Sequence, residues 1–153
     1  MNVQSSFLNN KALILLAPGF EQRTTICLLS HMREGGLSVS LVGLTAGLVK
    51  SDLGLVVRPD FSLEQVVNRA PYHLIIVPGG RQCASSLVMD PRVHNLLEAT
   101  LKNDGFVAAM GTAEPLLTHM GIPAPLDSSR FLSQKDMEVK EFTGALVNIL
   151  SDG

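Results

Sequence analysis

The chain lacks the features that mark several classes of protein. Tryptophan is absent, and cysteine occurs twice in 153 residues, as Cys27 and Cys83. Two cysteines make no disulfide framework, so both are expected to be free thiols in a reducing compartment, the cytoplasm. No apolar run reaches the roughly 18 residues that a membrane-spanning helix needs. These absences argue against a disulfide-rich secreted domain and against a membrane protein.

An excess of charge of either sign is also missing. Lys and Arg number 12 against 14 Asp and Glu, a formal net charge of −2, which gives no support for binding nucleic acid or an anionic membrane. Hydrophobic residues make up 46% of the chain and charged residues 17%, as in a domain with a large core. Residues 1–10 are polar and lack the basic start and apolar stretch of a signal peptide. We expect them to be a disordered lead-in to one domain, residues 11–153.

Apolar runs that alternate with helical periodicities predict an α/β protein. Continuous apolar runs, typical of strands buried on both faces, lie at residues 11–17, 37–44, 72–77 and 105–110, with shorter candidates at 53–57 and 130–134. Helical patterns lie at residues 21–33, from Ser62 (with Gln65 at the capping-box position), from Asp90 to 101, from 114 to 119 and from 136 to 150. This order predicts a flavodoxin-like three-layer sandwich with a mainly parallel sheet.

Three turns at predicted strand ends are candidates for a functional site. Residues 18–21, 78–81 and 110–114 each join a strand to a helix, and ligands of open parallel sheets bind beyond the carboxyl ends of the strands. Backbone N–H groups at such helix starts can bind an anion or a developing oxyanion. The third turn is of the tight strand-to-helix kind at which hydrolases expose a nucleophile.

Residues 12–39, 72–81 and 107–117 resemble, in this order and without gaps inside each block, the ThiJ/PfpI superfamily of class I glutamine amidotransferase-like proteins. That superfamily includes the parkinsonism-associated deglycase and the PfpI intracellular proteases. The resemblance implies the flavodoxin-like fold, a homodimer, and a cysteine nucleophile in the turn after the strand at 105–110. It also implies a pair of acids in a G-F-E-x-x-E motif beside that cysteine.

The chain departs from this pattern at the positions that carry the chemistry. Gly111 stands at the cysteine position, Thr112 at the position that is often histidine, and Thr24 at the second acid, while the first acid is kept as Glu21. Glycine has no side chain that could attack a substrate. We therefore predict a vestigial elbow with no catalytic residue and a pseudoenzyme that serves as a binding or regulatory module. Gly111 is expected to adopt a backbone conformation unfavourable for other residues.

The predicted ligand is a small anionic or carbonyl compound, with no cofactor. Its binding residues are expected at the three strand-end turns: Glu21, Gly79, Gly80, Arg81, Gly111 and Thr112. The four histidines are scattered without metal-ligand spacing, so no metal site is predicted.

Several alternatives stay open at this point. Cys83 could be a displaced nucleophile, with Arg81 as its activating cation, although an inert thiol is the preferred interpretation. The chain could then be an active glyoxalase, deglycase, amidase or peptidase-like enzyme that uses Cys83 or a neighbouring subunit. A third alternative is a purely structural subunit that supplies only a dimerisation surface. Glu21 could line the pocket or favour the positive end of the first helix. Thr112 is expected to cap its helix.

The tail is shorter than the resemblance implies, because a loop at residues 122–130 replaces an additional strand pair. We expect this deletion to leave an apolar patch uncovered and to drive homodimerisation there. The expected patch comprises Met110, Leu116, Leu117, Met120, Ile122, Pro123, Pro125 and Leu126.

Overall fold

Strands and helices alternate along the residues that this computed structural model describes, 9–69, 71–122, 130–134 and 137–152. The strands are β1 (Asn9–Leu16), β2 (Val39–Gly43), β3 (Val49–Lys50), β4 (Val56–Val57), β5 (Phe61–Ser62), β6 (Tyr72–Val77), β7 (Phe106–Ala109) and β8 (Phe131–Ser133). The helices are α1 (Gln22–Glu34), α2 (Leu63–Val67), α3 (Arg81–Val88), α4 (Pro91–Lys102), α5 (Ala113–His119) and α6 (Val139–Asp152).

Six of the strands form one sheet in the order β5-β2-β1-β6-β7-β8, and all of its pairings are parallel. β1 lies in the middle, with Ala12 in register with Val39 of β2 and with Leu74 of β6. Every residue of β6, and β1 from Ala12 to Leu16, is buried, because helices cover both faces of a parallel sheet. β3 and β4 pair separately as an antiparallel hairpin. The predicted α/β sandwich with a mainly parallel sheet is confirmed.

Two helix starts predicted from capping residues are present. The Oδ1 atom of Asp90 accepts a hydrogen bond from the N–H of Arg92 at 2.8 Å, and Pro91 is the first residue of α4, as expected for an N-cap followed by proline. At α2, the Oε1 atom of Gln65 accepts from the N–H of Ser62 at 2.9 Å. None of the described helices is both long enough and apolar enough to cross a membrane.

The sequence-based boundaries of β1 and of the strand at 53–57 need correction. β1 begins at Asn9, which pairs with Tyr72 of β6, so the lead-in does not extend to residue 10; residues 1–8 lie outside the described part. The strand predicted at 53–57 comprises only Val56–Val57, because residues 51–55 form a turn closed by the Ser51 N–H to Leu55 carbonyl bond at 2.8 Å. Its partner β3 was not predicted, since two-residue strands carry no periodicity.

The expected apolar patch near the tail is wrong for three of its residues. Met110, Leu117 and Ile122 are almost completely buried, because α5 packs against α3 and β7. Met120 is 45% exposed, Leu116 is partly buried against the core, and the members at 123–126 lie outside the described residues. The last helix packs against α1.

The cap of α4 generates a stability prediction. Asp90→Ala should lower the free energy of unfolding by about 1 kcal/mol at pH 7, because the first turn loses its acceptor. Asp90→Asn is the matched control: asparagine caps nearly as well, so most of the stability should remain. Urea unfolding measures both variants, and an alanine variant as stable as the parent would contradict the cap.

The same residue predicts a pH dependence. The side-chain hydrogen bond from Arg92 holds the pKa of Asp90 below its ordinary value of 3.8. A lowered carboxyl pKa stabilises the fold above pH 3.8 and loses that effect as the pH falls through the folded-state value. The stability difference between the parent and Asp90→Asn should therefore shrink on acidification below pH 3.8.

Candidate functional site

The carboxyl ends of β1, β6 and β7 bring the three predicted turns into contact. The N–H of Glu21 donates to the carbonyl of Gly79 at 3.0 Å. A Cβ atom placed on Gly80, whose φ is +100°, would lie only 2.9 Å from the nitrogen of Glu21, and one on Gly79 would lie 3.6 Å from the Cα of Gly111. The turns meet because these strands are neighbours and parallel, so their carboxyl ends share one edge of the sheet.

Gly111 forms the expected tight turn after β7. Its φ is +51°, in the left-handed region that residues with side chains rarely adopt, and the residue is exposed, whereas the preceding Met110 is buried. Apart from its neighbours in the chain, a Cβ atom on Gly111 would have among the described residues the Cα of Gly79, at 3.7 Å, as its one contact within 4 Å. The turn therefore has room for a side chain and presents none.

Glu21 caps the helix that follows it. Its Oε1 atom accepts hydrogen bonds from the N–H of Thr24 at 3.2 Å and from the Oγ1 hydroxyl of Thr24 at 2.6 Å. The backbone of Glu21 is extended, with φ −72° and ψ 114°, as an N-cap requires. Glu21 therefore lies at the positive end of the first helix, the second of the two alternatives given above. Its hydrogen-bond partner, Thr24, is the residue at the second acid position of the family motif.

Thr112 does not cap α5, so that expectation is wrong. Its backbone is already helical, with φ −70° and ψ −10°, and its side chain makes no capping bond. A capping side chain needs an extended backbone to reach back to the first helical N–H groups. Thr112 is instead an exposed residue.

A depression of about 450 Å³ lies between the ends of β1 and β6. Chain connections leave these two strands in opposite directions along the sheet, toward β2 and toward β7, which is the topological switch point where ligands of such sheets bind. Two of the predicted binding residues, Gly80 and Arg81, line it, whereas Glu21, Gly79, Gly111 and Thr112 do not. The full lining is Pro18, Gly19, Lys50, Ser51, Asp52, Gly80, Arg81 and Gln82.

Sequence reasoning missed the contribution of the β3–β4 hairpin to this depression. The Oγ hydroxyl of Ser51 donates to Oε1 of Gln22 at 2.7 Å, and Oδ1 of Asp52 accepts from the N–H of Gln22 at 3.0 Å. These bonds hold the hairpin against the start of α1. The run Ser51-Asp52-Leu53-Gly54 signals a turn, but no local pattern indicates which element that turn packs on.

The two thiols differ in accessibility. Cys83 lies on the buried face of α3 with no exposed surface, and burial raises the pKa of its thiol to about 12, while a hydrogen bond with the Ala17 backbone lowers it by less. Cys27 is half-buried on α1. A thiol that stays protonated at neutral pH is a poor nucleophile. The structure therefore opposes a displaced catalytic role for Cys83, and Arg81, which is exposed, does not activate it.

No group of three or more His, Cys, Asp and Glu side chains among the described residues could hold a metal ion.

Comparison with known proteins decides the family. The model of the DJ-1/PfpI family matches residues 10–142. The chain belongs to the DJ-1/PfpI family. It is 27% identical to Protein dj-1beta of Drosophila melanogaster over 89% of this chain and 73% of that protein. It is 32% identical to the glutathione-independent glyoxalase DJR-1.2 of Caenorhabditis elegans over 74% of this chain, and here it spans only 60% of the relative's length.

Solved structures agree with this fold. The crystal structure of a cysteine-to-alanine mutant of a DJ-1 superfamily protein from Salmonella typhimurium matches with a TM-score of 0.81 at 20% identity, over 93% of this chain and 90% of that one. At this identity the likeness establishes the flavodoxin-like DJ-1 fold and nothing further.

Thiol labelling tests the buried state of Cys83 in this DJ-1/PfpI chain. With a small alkylating reagent at pH 7, the Cys27→Ser variant should stay essentially unmodified, because its remaining thiol is buried and protonated. Adding Gly111→Cys to that variant gives the positive control, since a thiol there would be exposed. Intact-mass spectra over time distinguish the two, and rapid labelling of Cys27→Ser alone would contradict the burial of Cys83.

Proposed function

We propose that this chain is a non-catalytic DJ-1/PfpI protein that acts as a binding or regulatory module in the cytoplasm. The observation that carries the proposal is the exposed turn at Gly111. It follows β7 directly, has the left-handed backbone of a nucleophile elbow, and offers no side chain. Covalent catalysis needs an attacking group at such a turn.

The neighbouring residues supply no substitute nucleophile. Thr112 is exposed and its side chain makes no capping hydrogen bond, and Cys83 is buried with a raised pKa. The carboxylate of Glu21 is held by the backbone and hydroxyl of Thr24. These observations support a Gly111 turn that has the backbone conformation of a nucleophile elbow and no nucleophilic side chain.

The second candidate is an active enzyme of the family. It is favoured by the similarity to a relative named as a glutathione-independent glyoxalase. Because Cys83 is buried with a raised pKa, such an activity would need another nucleophile, for example from a neighbouring subunit.

An activity assay separates these candidates. The purified full chain should turn over neither methylglyoxal nor model peptides above background, because nothing at Gly111 can attack a carbonyl. A family member with an intact elbow cysteine serves as the positive control under the same conditions. Turnover that scales with protein concentration and is unchanged in Cys83→Ser would show an enzyme that does not use Cys83. Turnover that is lost in Cys83→Ser would overturn both the non-catalytic proposal and the interpretation of Cys83 as an inert thiol.

For the binding role, we propose a small anionic or carbonyl compound as the ligand of the depression. Lys50 and Arg81 place two cationic side chains at its rim against one carboxylate, that of Asp52. α3 begins there at Gly80 without a side-chain cap, so the positive end of its dipole faces the same space. Pyruvate, which has both groups, is a suitable probe by amide chemical shifts: signals of Gly80 and Arg81 should move, and Arg81→Ala should weaken binding.

We also propose a homodimer. Its contact surface differs from the tail patch that the sequence predicted. Apolar side chains project from the hairpin segment: Leu48, Leu53, Leu55 and Val56 are 62%, 60%, 39% and 53% exposed. Clustered exposed apolar residues mark interaction surfaces, and a two-fold contact with a second copy would cover them on both subunits. Lys50 and Asp52 in the same segment supply charges of both signs, as a self-complementary surface needs.

Light scattering at micromolar concentration tests this surface. The parent should have the mass of a dimer, and the double variant Leu53→Asp/Val56→Asp should shift toward the monomer, because charges would be buried without partners. Met89→Asp is the matched control, since Met89 is 77% exposed but lies between α3 and α4. A parent monomer, or a dimer that tolerates both hairpin substitutions, would exclude this contact.

A further inference from the structure

His73 is a buried titratable side chain that the site above does not use. It is only 6% exposed at the start of β6, and its Nδ1 atom has no hydrogen-bond partner among the described residues. Its ring lies against that of Phe106 on β7, with centroids 6.2 Å apart and planes inclined by 30°. Burial penalises the charged imidazolium, and a buried Nδ1 without an acceptor adds to that penalty, so the neutral form of the ring is favoured.

Arg130 packs on the same aromatic ring from the end of the chain that enters β8. Its Cζ atom lies 4.7 Å from the centroid of Phe106, within the range of a cation–π contact. Its Nη1 atom donates to the carbonyl of Asp104 at 2.7 Å. Asp104 has a φ of +66°, so this bond also holds a turn that is strained for a residue with a side chain.

Among the described side chains, the other elements around β6 bring little charge to His73. β1 carries Lys11 before its apolar run from Ala12 to Leu16, and β7 carries no ionisable residue. α4 carries Arg92, His94, Glu98 and Lys102; of these, Arg92 pairs with Asp90 and His94 with Glu98, and Lys102 is exposed. Tyr72, next to His73, donates its hydroxyl to the carbonyl of Val66, and burial raises its pKa. Of the described charged groups, Arg130 is the one that lowers the pKa of His73.

We propose that His73, Phe106 and Arg130 form a proton-sensitive latch that holds the start of β8 against β7. With His73 neutral, Arg130 rests on Phe106 and closes the bond to Asp104. A proton on His73 would bury a second cation beside the same ring, and no carboxylate in the described part of the chain is paired with it. Movement of Arg130 away from Phe106 would separate the two positive charges. The start of β8 would then no longer be held against β7.

The latch connects to the candidate site through β8. This edge strand pairs with β7 from Phe131 to Ser133, and the N–H of Gln134 donates to the carbonyl of Ala109 at 3.0 Å, two residues before Gly111. Loosening β8 would therefore remove support on one side of the Gly111 turn. This inference does not depend on whether the turn binds a ligand or catalyses a reaction.

The sign of the pH effect follows from the direction of the pKa shift. Burial first, and then the charge of Arg130, lower the pKa of His73 below 6.5. The closed form is therefore favoured fully above pH 6.5. As the pH falls below that value, the opened form takes up the proton more readily and the latch loses stability.

Two measurements on the full chain test the latch. Imidazole resonances followed from pH 8 to pH 5 should show His73 titrating below 6.5, and Arg130→Gln should raise that midpoint by roughly half a unit to one unit. Amide exchange at residues 131–134, corrected for its intrinsic pH dependence, should accelerate by up to roughly tenfold per pH unit as the pH falls from 6.5 to the His73 midpoint, and should level off below that midpoint. His73→Gln should abolish this acceleration, while His119→Gln, at an exposed histidine on α5, should keep it.

Opposite results would overturn the latch. They are a His73 midpoint at or above 6.5, a midpoint that Arg130→Gln leaves unchanged, or an acceleration that persists in His73→Gln. Should His73→Gln fail to fold, the midpoint in Arg130→Gln still decides, because that variant retains the histidine.

Discussion

The close approach of three backbone turns at one edge of the sheet is the constraint on which the rest of this structure depends. β1, β6 and β7 are parallel, so the turns that leave them have to pack side by side. A Cβ atom on Gly80 would collide with the carbonyl of Gly19 and the nitrogen of Glu21, and a side chain there would push these turns apart. The starts of α1 and α3 and the position of Gly111 all follow from this contact.

Within that frame, the starts of α1 and α3 differ in how far their first N–H groups are already bonded. The start of α1 is already occupied, because Glu21 and Asp52 accept hydrogen bonds from its first N–H groups. α3 starts without such a cap, beside Arg81 and Lys50. The uncapped, positive end of a helix dipole therefore lies at the depression between β1 and β6. The Gly111 turn beside it carries no side chain.

Two peripheral elements are tied to this edge from opposite sides. The β3–β4 hairpin is fastened to α1 through Ser51 and Gln22, so the segment that lines the depression also carries the exposed apolar side chains. On the other side, β8 (Phe131–Ser133) and the following Gln134 pair with β7, which leads to the Gly111 turn. A partner on the hairpin or a proton on His73 would each act on this edge through these hydrogen bonds.

Local patterns were enough to predict the sheet, its main strands, the cap at Asp90 and the glycine turn after β7, because burial on both faces and backbone sterics leave a signature in neighbouring residues. They could not predict the two-residue strand β3, the role of Asp52 at α1 or the stacking of His73, Phe106 and Arg130. Those features join residues about 30 positions apart or from separate elements. Only packing brings such groups together, and packing also decided that Cys83 faces the core.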